Sequence, residues 1–119
     1  MRAAILCRDT VYSEELCRYL TGCFPRINIR HFVDGELHEA KKFLSGLPRS
    51  ILAVQANSNE YFMARELIGK FPKLTVYMIA PDSGYYLHAC EFKADAYLVY
   101  PYTEQDIADE LEKQKQLQK

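Results

Sequence analysis

At 119 residues the chain is the size of one domain, long enough to remove about two-thirds of its unfolded surface from water. Lys and Arg number 15 against 16 for Asp and Glu, and the net charge of -1 gives no field to draw in nucleic acid or an anionic membrane, so direct DNA binding by this domain is not expected. No apolar run reaches the roughly 18 residues of a membrane helix, and Met1-Arg2 leads straight into a strand-like run instead of a leader peptide, so a cytoplasmic protein is expected.

Ala3-Ala4-Ile5-Leu6-Cys7 is a continuous apolar run, as in a strand covered on both faces. A helix is predicted from Ser13 to Leu20, with Ser13 as its N-cap and Glu14 and Glu15 in the first turn. Gly22 and Pro25 end it. Ile27 to Val33 alternates as a half-exposed edge strand does, and Asp34-Gly35 makes a turn into a second helix over Glu36 to Leu44. Gly46 and Pro48 stop that helix before the third strand, Ser50 to Val54.

The second half repeats this order. A helix over Glu60 to Phe71 closes at Pro72, and a strand runs from Leu74 to Ile79. Tyr85 to Phe92 is a short helix, Ala96 to Val99 the fifth strand, and Glu104 to about Leu117 the last helix. Strict alternation predicts an α/β fold, a doubly wound, five-stranded parallel sheet with five helices; with a right-handed crossover at each step and the order 2-1-3-4-5 it is flavodoxin-like, its crevice at the carboxyl ends of the strands. The domain is placed at residues 1–111, with 112–119 a solvated helix end or the start of a linker to an output domain.

The cysteines at 7, 17, 23 and 90 form no C-x-x-C pair and no paired spacing with His31, His38 or His88. Neither a zinc site nor a disulfide framework is indicated, no cofactor is expected, and free buried thiols are the simplest reading.

The run Lys93-Ala94-Asp95-Ala96-Tyr97-Leu98-Val99-Tyr100-Pro101-Tyr102 resembles the G-A-x-x-Y-L-x-K-P-F ending of the response-regulator receiver domains of two-component signalling, with tyrosine at position 100 where that family has lysine. Tyr85 to Ala94 is similar to the corresponding helix of receivers that precede LytTR-type DNA-binding domains. The resemblance implies the CheY-like form of the fold. It also implies where phosphorylation residues would stand: an acidic pair after the first strand at Cys7 and Arg8, the nucleophile at Gln55, a hydroxyl at Ala80 and a lysine at Tyr100.

All five positions depart from the family's pattern. Magnesium wants oxygen ligands, and the metal, lysine and hydroxyl together neutralise an incoming phosphoryl group. From Ser50 to Asn59 there is no acid at all, so no small shift of alignment restores a nucleophile near Gln55. The expectation is a degenerate pseudo-receiver, a scaffold without metal or phosphoryl chemistry and not an enzyme. Arg8 would satisfy Asp9 or the Gln55 carbonyl, or extend into solvent. Tyr100 would plug the vacated pocket, and its bond to Pro101 is commonly cis in the family.

Of nine tyrosines, Tyr85, Tyr86, Tyr97, Tyr100 and Tyr102 cluster in the final third. On a receiver-like fold Tyr85, Tyr86, Tyr97 and Tyr102 fall on the face of helix 4, strand 5 and helix 5, through which receivers dimerise or touch effectors, and they are the candidate anchors for a protein partner or a second copy. The expected role is a phosphorylation-independent interaction module, part of a transcriptional regulator or a free-standing adaptor. Two alternatives stay open: phosphorylation at an unusual acid such as Glu60 or Asp9, and a Cys7-based phosphate enzyme of the phosphotransferase IIB or low-molecular-weight phosphatase type. The second lacks both the arginine of C-x5-R and a glycine-rich turn after Cys7.

Overall fold

The computed structural model describes residues 1–46, 49–56 and 58–117, with side chains through residue 113. The expected stop at Pro48 and the last two residues of the tail lie outside the described residues. The strands are β1 (Arg2–Leu6), β2 (Asn28–His31), β3 (Ser50–Gln55), β4 (Thr75–Ala80) and β5 (Ala96–Val99). The helices are α1 (Glu14–Cys23), α2 (Leu37–Leu44), α3 (Glu60–Lys70), α4 (Tyr86–Glu91) and α5 (Glu104–Leu117). The sheet is parallel throughout, in the order β2-β1-β3-β4-β5. This is the flavodoxin-like arrangement expected from the alternation of elements.

Each face of the sheet carries its own core because successive strand residues point to opposite sides. Ala4, Leu6, Leu52, Val54 and Met78 meet Phe43 of α2, Met63 and Leu67 of α3 and Phe92. On the other face Ile5, Ala53, Tyr77, Ile79 and Leu98 meet Leu16 and Leu20 of α1 and Ile107 of α5. All six residues of β3 are buried, as a central strand covered on both faces requires. β2 is one of the two outer strands, and three of its four residues are exposed.

The turns follow local chemistry. Gly35 and Gly46 have φ of 97° and 77°, in the left-handed region where a Cβ is strained. The route into α1 differs from the expected Ser13 cap. A 3-10 turn over Thr10–Ser13 comes first, and Asp9 caps it by accepting from the Val11 amide at 3.1 Å. Ser13 is buried and makes no cap bond, and its hydroxyl donates to the Thr10 carbonyl at 3.1 Å. A shorter, earlier turn therefore takes the capping role from Ser13.

Candidate functional site

The carboxyl ends of β1 and β3 converge on a cavity of about 370 Å³ lined by Arg8, Asp9, Tyr12, Gln55, Ser58, Asn59 and Glu60. Five-residue register pairing of β1 with β3 fixes its floor, because Leu6 lies opposite Val54 and the next residue on each strand is Cys7 and Gln55. Cys7 is 1% exposed. Its thiol lies within donating distance of the Asp9 carbonyl at 2.9 Å and of Gln55 Oε1 at 3.2 Å. Burial, reinforced by the nearby Asp9 carboxylate, pushes the thiol up to about 12. A thiol held protonated in this way donates a hydrogen bond and is no nucleophile at neutral pH.

Arg8 does not turn to Asp9 or Gln55. Its Nε stands 3.5 Å from Glu60 Oε1 in the first turn of α3, with the arginine side chain 65% exposed and the glutamate side chain 1% exposed. Both Glu60 carboxylate oxygens are buried without a hydrogen-bond partner. The ion pair is thus a one-sided contact: a solvated cation beside a sealed carboxylate. Asp9 instead caps the turn after β1, accepting from the Val11 amide. Gln55 has bonding of its own, and its backbone carbonyl accepts from the Ser58 hydroxyl at 2.7 Å.

The remaining receiver positions lie nearby. Ala80 ends β4, fully buried, and its carbonyl accepts from the Tyr100 amide at 2.8 Å. Tyr100 packs edge-on against Tyr12, with ring centroids 4.8 Å apart, and the Tyr100–Pro101 bond is cis. Tyr100 therefore stacks beside the lining residue Tyr12 and does not itself line the cavity, so it does not plug it as expected. No group of three or more His, Cys, Asp or Glu suited to a metal ion occurs among the described residues.

The four tyrosines of the opposite edge divide. Tyr86 of α4 is 59% exposed and adjoins Leu87, which is 79% exposed. Tyr85 and Tyr97 are half-buried: the Tyr97 hydroxyl accepts from the Tyr85 amide and donates to the Asp82 carbonyl, both at 3.2 Å. Tyr102 is buried, and its hydroxyl donates to the Tyr12 carbonyl at 2.6 Å. It is a core residue, bridging the loop before α5 to the turn before α1, so it is not offered to a partner. The thiols also divide: Cys7 is buried, Cys17 half-buried, and Cys23 and Cys90 exposed, which corrects the expectation that all are buried.

Glu60 is the residue whose setting the sequence conceals. It was visible only as an acid at a helix start. Nothing in its neighbours indicates that the loop after β3 folds its side chain under Arg8.

No protein-family model and no curated protein matches the chain. Solved structures do. The response regulatory domain of protein mrkE from Klebsiella pneumoniae is 19% identical, with a TM-score of 0.67 over 98% of this chain and 97% of that one. A response regulator receiver protein from Pseudoalteromonas atlantica is 13% identical, with a TM-score of 0.65 over 100% of both chains. A DNA-binding response regulator of the LuxR family from Staphylococcus aureus is 14% identical, with a TM-score of 0.63 over 95% of this chain and 97% of that one. At these identities the likeness is one of fold: the chain has the CheY-like receiver fold.

Proposed function

We propose that this chain is a receiver-type signalling module that works without phosphorylation, as a regulatory protein–protein interaction domain. The observation that carries the reading is the contact of Cys7 with Gln55. Where a receiver needs a charged nucleophile facing an acidic pair, this crevice holds a neutral amide against a neutral, buried thiol. An amide cannot form an acyl phosphate, and the surrounding Arg8 and Tyr100 supply neither metal ligands nor a lysine. Cys7 and Gln55 bond each other, Arg8 stands by Glu60, and Tyr100 packs on Tyr12.

On this reading the output surface is the face of α4, β5 and α5, where exposed Tyr86 and Leu87 offer apolar area to a protein partner, an output domain or a second copy. If Tyr86→Ala and Leu87→Ala sediment and bind like the parent, that surface is misassigned. The pattern of Tyr85 to Ala94 favours a relation to receivers of LytTR-type regulators and a cytoplasmic setting.

Amide NMR with magnesium and beryllofluoride, a stable mimic of an acyl phosphate, tests the central point. The expected spectrum is unchanged at Gln55, Ala80 and Tyr100. Saturable shifts there would establish a working phosphoacceptor, at Glu60 or Asp9, and overturn the proposal.

A further inference from the structure

Glu60 presents a physical problem. Its side chain is 1% exposed and neither carboxylate oxygen has a hydrogen-bond partner, although an unpaired buried carboxylate is among the costliest groups a fold can carry. Arg8 supplies charge but no hydrogen bond, at 3.5 Å through Nε, and its side chain is mostly in water. An ion pair to so exposed a side chain offsets little of the cost. The cavity beside it has the size of a small-molecule site, about 370 Å³. Its walls add the Asp9 carboxylate, the polar side chains of Gln55, Ser58 and Asn59, and the aromatic ring of Tyr12. With Arg8 swung out, the lining carries two carboxylates, several neutral oxygens and an aromatic side chain, a set that attracts cations.

We propose that this cavity binds a small organic cation bearing a guanidinium or primary ammonium group, which donates to Glu60, and that Arg8 is the tethered occupant it displaces. The inference rests on reading the crevice as free of phosphoryl chemistry, and it names the class of ligand that would take the place of phosphate. A divalent metal fits less well, because no cluster of three or more ligating side chains exists among the described residues. An anion is opposed by Glu60 and Asp9. A guanidinium or ammonium group brings the hydrogen-bond donors that both Glu60 oxygens lack.

The test is a titration of methylguanidinium chloride and of methylammonium chloride, at ionic strength matched with sodium chloride. Backbone amides of Arg8, Gln55 and Ser58 are followed in the parent, Arg8→Ala and Glu60→Gln. Saturable shifts from either probe are expected in the parent, with affinity about tenfold higher in Arg8→Ala because the internal competitor is gone. Glu60→Gln should lose saturation. Failure to saturate Arg8→Ala with either probe overturns the proposal, as do equal shifts in a folded Glu60→Gln or saturation by magnesium chloride alone. The beryllofluoride experiment separates the two readings: a silent beryllofluoride spectrum with no cation binding refutes the ligand and leaves the pseudo-receiver standing.

Discussion

Replacing Cys7 by alanine should flatten the alkaline limb of the stability profile. The Cys7 thiol is raised from 9.0 to about 12, by burial first and by the Asp9 carboxylate second. The fold therefore prefers the protonated form. Its contribution is complete below pH 9, where folded and unfolded chains are both protonated, and is lost as pH climbs toward 12, where the unfolded chain ionises and the folded one resists. Three units correspond to about 4 kcal/mol in total, and the two units between pH 9 and pH 11 to about 3 kcal/mol. Near neutrality Cys7→Ala should cost on the order of 1–2 kcal/mol, from a small cavity and the lost contacts to Gln55 and the Asp9 carbonyl. Urea unfolding of both proteins from pH 7.5 to 11 provides the comparison. The gap between parent and variant should close, and then reverse, as pH rises. Burial also raises Tyr77, Tyr102 and Cys17, but that burial is common to both proteins, and only the minor interaction of Tyr102 and Cys17 with Cys7 differs between them. Parallel curves would show that the thiol is not held in the protonated state by the fold, and the account of a sealed crevice floor would fail with it.

Tyr102→Phe should lower stability by about 1–2 kcal/mol in urea, since it strips the partly buried Tyr12 carbonyl of its donor; an unchanged midpoint would deny the bridge between the two turns. Thiol labelling with a maleimide under native conditions should modify Cys23 and Cys90 first and Cys7 only on unfolding. Mass spectrometry of the peptides reads the order, and early labelling of Cys7 would contradict its burial. Glu60→Met should unfold at the same or higher urea concentration, by up to about 1–4 kcal/mol, because it exchanges an unsatisfied buried charge for apolar contact. A large loss would mean that the Arg8 contact stabilises the fold after all.

The sheet was legible because its inner strands have to be apolar on both faces. Ala3 to Leu6 and Ile51 to Val54 leave no other reading once turn residues bound them. Cys7 and Gln55 were singled out by the resemblance to receivers, and the bond between them came only with the structure. Side-chain direction was harder to read. Tyr102 carries the same interface signal as Tyr86, and only the course of the chain after Pro101 decides that one is buried and the other open. Glu60 was hidden for the same reason: an acid at a helix start normally faces water, and here the short loop after β3 turns it beneath Arg8. Asp9 outcompeted Ser13 as a cap because a turn of 3-10 helix begins four residues before α1, a length too short to register in a periodic pattern.

The polar outer strand also has a colloidal meaning. An open sheet margin is a template on which other chains can grow, and β2 limits that hazard by being four residues long and largely solvated. Arg30, at its centre, is held with its guanidinium 5.1 Å from the Phe32 ring and 5.5 Å from that of Phe43. A fixed positive charge thus guards this edge of the sheet against edge-to-edge growth.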